Sequence, residues 1–116
     1  KCKSAGVGVK VYLLSYWDFI SEATIAKVFP DGFTGWAVEH GGVLETSIML
    51  KLHPELVDMS KAVDVEPATF PPYDVFPPDP SWVAPSGTLS SPLKATAEKG
   101  ELILDECISG ILSHLN

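Results

Sequence analysis

Between residues 67 and 85 the chain reads PATFPPYDVFPPDPSWVAP and concentrates seven of its ten prolines. Each proline fixes φ and removes a backbone donor, so neither a helix nor an interior sheet strand can run through this stretch. What remains is a semi-rigid extended arm that displays Phe70, Tyr73, Phe76 and Trp82. A flexible linker would carry Gly and Ser in place of aromatics, so the arm is expected to pack along the body of the domain or a neighbouring subunit. Together with the SGTLSSP segment after it, the arm occupies residues 67–92. Regular structure is left to the segments on either side.

Ahead of the arm, Val7, Val9, Val11, Leu13 and Leu14 make VGVKVYLLSY a nearly continuous β-prone run. A strand covered on both faces of a parallel sheet reads this way. Ser21 is a plausible N-cap, with Glu22 in the first turn, for a short helix through Phe29 that Pro30 ends. Leu44, Ile48 and Leu52 recur every four positions, which predicts a helix from Gly42 to Leu52 with one buried stripe, closed by Pro54. The segment PELVDMSKAVDV suggests a turn and a brief strand. Beyond the arm, Leu104, Cys107, Ile108, Ile111, Leu112 and Leu115 mark the apolar face of a last helix, about residues 94–115. One strand followed by helices and an arm is the C-terminal half of an α/β layer fold whose other strands are absent. The chain opens at Lys1 with neither an initiator Met nor a signal peptide, and is expected to be a piece of something longer.

A chain of 116 residues, 46% hydrophobic and 20% charged, is one modest globular domain. Its net charge of −7, with eight Lys and Arg and no basic stripe, argues against a nucleic-acid partner. No apolar stretch approaches the roughly 20 residues of a membrane helix, so no membrane association is expected. Cys2 and Cys107 lie near opposite ends without a CxxC spacing. They suggest free thiols in a reducing compartment, hence a cytoplasmic protein, with one disulfide between them left open by the sequence.

The chemistry gathers in GWAVEHGGVLETS, residues 35–47. His40 is the side chain here that moves protons near neutral pH, and a neighbouring carboxylate fixes its tautomer. Glu45 can reach it if Gly41 and Gly42 fold the chain back. Trp36, and Trp17 in SYWDF, offer planar faces for a small flat ligand. A helix first turn also welcomes a carboxylate through its free amides and dipole alone. The cluster is therefore either a helix cap with incidental neighbours or half of an active site. No HxH, HExxH or GxSxG spacing occurs, so neither a metal site nor a Ser nucleophile is supported within this chain.

The blocks LSYWDF, FPDGFTGWAVEHGGVLETSIMLKLHPELVDM, ATFPPYDVFP and GTLSS with AEKGELIL, in this order, resemble the C-terminal half of the creatininase family of creatinine amidohydrolases. The resemblance spans essentially residues 1–116. It implies a three-layer α/β/α fold with a mostly parallel sheet, a homo-hexamer, and two divalent ions, typically zinc and manganese, that activate a bridging water for opening creatinine to creatine. It further implies that His40 shuttles a proton to the leaving ring nitrogen and Glu45 orients His40. Glu39 would contact the guanidine-like edge of the substrate, while Trp36 and Trp17 close over its ring. The family's metal ligands belong to an N-terminal half that this chain does not contain, so the chain alone is expected to be inactive. Ala37 stands where the family usually has Asp after the motif Trp, which keeps another small amide or lactone open as substrate. A non-catalytic interaction subunit is the alternative from a different class.

Overall fold

A computed structural model of the chain describes residues 6, 8 and 10–115. Its regular structure lies in three α-helices, α1 (Glu22–Val28), α2 (Val43–Leu52) and α3 (Ala97–Leu115), joined by short 3-10 turns and extended backbone. Helix α1 follows its local code: the Ser21 hydroxyl accepts from the Thr24 amide at 3.3 Å, Glu22 sits in the first turn, and the helix stops before Pro30. Helix α3 begins at Ala97, later than expected, because Thr96 caps it by accepting the Lys99 amide at 3.2 Å.

The main packing is α2 on α3. Leu44, Ile103 and Val28 are almost wholly withdrawn from water, with Val43 and Cys107 around them. Burial of each large aliphatic side chain of this set stabilises the fold by about 1.5–3 kcal/mol. The helices meet most closely at Gly100, where a Cβ would overlap the Ser47 carbonyl and lie 3.0 Å from Lys51 Cβ. This contact turns α2 so that Val43, Leu44 and Ser47 face inward. The expected stripe of Leu44, Ile48 and Leu52 is thereby corrected: Ile48 is half-buried and Leu52 is exposed. Ser47 tolerates full burial because its hydroxyl accepts the Thr96 amide at 3.2 Å.

On α3 the buried positions are Gly100, Ile103 and Cys107. Of the face expected from periodicity, Cys107 is buried, Leu104 and Ile111 are half-buried, and Ile108, Leu112 and Leu115 are exposed. Of the apolar band of α3, only the Gly100, Ile103 and Cys107 edge is buried.

Among the described residues there is no β-strand. Val7 and Val9 lie outside them. Residues 10–14 carry no regular secondary structure, with Val11 and Leu13 largely in solvent, because a strand is held by a neighbour's amides and carbonyls and none pairs with these residues among those described. The brief strand expected after Pro54 is replaced by 3-10 turns at Pro54–Leu56 and Met59–Lys61, the second closed by Asp58 accepting the Ser60 amide at 3.1 Å. Residues 67–85 are irregular apart from a 3-10 turn at Pro80–Trp82. Phe76 is 94% exposed, whereas Trp82 is half-buried and meets Phe70 edge-on at 6.5 Å. Cys2 lies outside the described residues, and Cys107 is a free buried thiol whose pKa burial pushes up.

Candidate active site

The turn that enters α2 is built from two glutamates and two glycines. The first amides of a helix have no partner within the helix and need acceptors. Helix α2 begins after Gly42, which has no side chain to supply one. Glu39 fills the role from upstream: its Oε1 accepts the Leu44 amide at 2.6 Å. Glu45 reaches back from the third helical position, and its Oε2 accepts the Gly41 amide at 2.7 Å. The result is a variant of the capping box: Glu39, three residues before the N-cap, supplies the acceptor that Gly42 lacks, and Glu45 reaches the amide one residue ahead of the N-cap. Gly41 takes φ +63°, a left-handed conformation that side chains disfavour, and this reverses the chain between the two glutamates.

That reversal brings His40 Nδ1 to 3.7 Å from Glu45 Oε2. The separation is too long for a hydrogen bond but is an ion-pair distance. The expected fold-back at Gly41 and Gly42 thus occurs. Glu45 caps α2 and faces His40 with the same oxygen. The side chains of Glu39 and His40 diverge: Glu39 turns inward against α2, while His40 is 69% exposed.

His40, Glu39, Glu45, Trp36, Ala37 and Trp17 all line one pocket of about 430 Å³, with Tyr16 and Leu44. This volume suits a small organic ligand. The two indoles are anchored separately. Trp17 stands edge-on to Tyr16 at 5.1 Å, and the Tyr16 carbonyl accepts from Cys107 Sγ on α3. Trp36 stands edge-on to Phe33 at 5.1 Å, and Phe33 packs on Phe29 at the end of α1 at 4.7 Å. Tyr16 is the lining residue that sequence reasoning passed over. Its position beside Trp17 in SYWDF was the available signal.

Burial raises the pKa of Glu39, opposed by the Leu44 amide and reinforced by the nearby Glu45 charge. Burial likewise raises that of Tyr16, again with help from Glu45. The pocket therefore contains two acidic groups whose ionised forms are disfavoured. Elsewhere, the His53 amide closes the C-terminus of α2 on the Met49 carbonyl at 2.8 Å, and exposed His114 meets Phe19 edge-on. Among the described residues no three His, Cys, Asp or Glu side chains converge as a metal site requires. Glu39 and Glu45 are engaged with backbone amides, so the residues present do not fit a metal pair.

Residues 7–115 match the family model for creatininase, described as creatinine amidohydrolase. A creatinine amidohydrolase of Pseudomonas putida is 59% identical over 103 residues, covering 88% of this chain and 40% of that protein. A solved structure named "Creatininase Mn" superimposes with a TM-score of 0.89 at 54% identity, over 98% of this chain and 45% of that one. A mutant creatininase complexed with creatine gives a TM-score of 0.87 at 55% identity, over 97% of this chain and 45% of that one. A mutant creatininase of Zn-Zn type, also 55% identical, gives 0.89 with 97% and 45% covered. This chain thus spans less than half the length of the relatives it matches. From Val7 onward almost every residue falls within the match, and the chain belongs to the creatininase family of creatinine amidohydrolases.

Proposed function

We propose that residues 1–116 are the C-terminal segment of a metal-dependent amidohydrolase that opens a small cyclic amide, creatinine to creatine. The observation that carries this reading is His40, held by a doubly capped turn beside Glu45, at a pocket walled by Trp17 and Trp36. In this role His40 hands a proton to the ring nitrogen as the amide bond breaks. Glu45 faces Nδ1 and orients the imidazole. Glu39 keeps acceptor capacity beyond its bond to Leu44 and turns it to the guanidine-like edge of the substrate. The indoles of Trp17 and Trp36 close on the flat ring, and Ala37 completes the wall.

Zinc and manganese, two ions per site, are ascribed to ligands outside this chain. The likeness to creatininases named for manganese and zinc supports metal dependence. The whole protein is read as a cytoplasmic homo-hexamer with a three-layer α/β/α fold and a mostly parallel sheet. Residues 10–14 would supply one strand of that sheet. Residues 67–92 are its extended arm, set within the same domain.

The test is creatine formation from creatinine by the full-length protein carrying this segment. His40→Ala is expected to lower turnover by about 100-fold or more, the span of general acid–base catalysis, with an unchanged circular dichroism spectrum. Retained turnover in that variant would remove His40 from the mechanism. Ala37 in the pocket wall favours a second reading, in which another small amide or lactone is the substrate. Competing hydrolysis of such compounds against creatinine separates the two.

A further inference from the structure

Behind the capped turn runs the segment GTLSS, residues 87–91, to which the proposed chemistry assigns nothing. It grips the turn at successive residues. The Leu89 amide donates to the His40 carbonyl at 2.9 Å. Thr88 packs on Gly41, where a Cβ would lie 2.9 Å from Thr88 Cγ2. Ser90 is 7% exposed, and its Oγ has no aligned hydrogen-bond partner. A Cβ at Gly42 would overlap that Oγ and lie 2.8 and 2.9 Å from the Glu39 oxygens, so hydroxyl and carboxylate converge on the space that Gly42 leaves open.

A buried hydroxyl without a partner costs free energy, and a carboxylate beside it is the strongest acceptor it can find. We propose that Ser90 is a positioning residue for Glu39: its hydroxyl donates to the carboxylate and holds it aimed at the cationic edge of the ligand. The inference rests on the proposed role of Glu39 in the hydrolase. Glu39 already engages Leu44 through Oε1, and a donor from the opposite side would fix the plane of the carboxylate.

The other charged or titratable groups around Glu39 are Glu45, Tyr16 and His40 on the pocket side, and Asp64 and Lys94 across the groove that Ser90 also lines. A hydrogen bond to the ionised form opposes the upward push of burial, and the proximity of Ser90 already acts in that direction. Removing the hydroxyl should therefore raise the proton affinity of Glu39.

The experiment follows the carbon-13 titration of the Glu39 carboxyl in the full-length enzyme, assigned by its loss in Glu39→Gln. Ser90→Ala is expected to raise the midpoint by about one pH unit, the size of a single hydrogen bond to a carboxylate. The acid limb of kcat/KM should move with it, and in the Glu39→Gln background Ser90→Ala should leave the pH profile unchanged. Ser90→Cys keeps the volume with a weaker donor and should give the same direction of shift. An unmoved midpoint in both variants overturns the proposal, as does failure of both to fold, which would make Ser90 structural alone. The titration is independent of turnover, so an enzyme inactive on creatinine refutes the substrate and leaves the Ser90 result standing.

Discussion

Residues 35–42 and residues 67–85 are both irregular backbone apart from one 3-10 turn each, at Trp36–Val38 and Pro80–Trp82, yet they are held in opposite ways. The first is tied at nearly every step: Gly41 to Glu45, Glu39 to Leu44, and His40 to Leu89. The second touches the body through the Ala68 amide on the Leu89 carbonyl and otherwise bonds mainly to itself around Asp79 and Ser81. Amides at the start of α2 need acceptors and recruit the turn to supply them. Prolines carry no amide, so the arm has shape without the donors that would fasten it.

The comparison is broken most severely at Gly42. Gly42→Ala drives a methyl into Ser90 Oγ and the Glu39 carboxylate. It is expected to lower unfolding free energy by about 3 kcal/mol in urea titration, and a loss below about 0.5 kcal/mol would mean that the turn yields easily. Glu45→Ala removes one half of the cap and is expected to cost about 1 kcal/mol by the same measurement. If Glu45 also orients His40, turnover should fall by more than the stability change explains.

Glu39 sharpens the contrast through pH. Its folded pKa is raised from 4.5, chiefly by burial, so the folded chain holds this proton more tightly than the unfolded one. Stability from this group is therefore greatest below the unfolded value and falls as pH rises through the folded one. Urea midpoints from acid to neutral pH should show a smaller decline in Glu39→Gln, and identical slopes would contradict the burial argument. The smallest effect belongs to the arm. Phe76→Ala removes a 94% exposed ring and should alter the stability of this chain by no more than about 0.5 kcal/mol.

These contrasts follow what the sequence made legible. Helix α1 was readable at both ends because Ser21, Glu22 and Pro30 act on their immediate neighbours. The limits of α2 were nearly so, but its buried face was not, since Gly100 on another helix sets the crossing and draws Ser47 inward. The start of α3 was misplaced because Thr96 rather than the periodicity fixes it. In the site, spacing gathered Glu39, His40 and Glu45 but could not show that the oxygen of Glu45 that caps the turn is also the one that faces His40. Ser90 was invisible beside Glu39, because half a chain of arm and helix separates them in sequence.

The separate anchoring of Trp17 and Trp36 bears on how the width of the pocket is set. One indole hangs from α3 through Tyr16 and the other from α1 through Phe33 and Phe29. The gap between them is therefore gauged by the seating of α1 against α3, a contact that lies outside the pocket. The slot can widen or narrow through exchanges at residues outside the pocket, and a comparison confined to the pocket lining would miss the change.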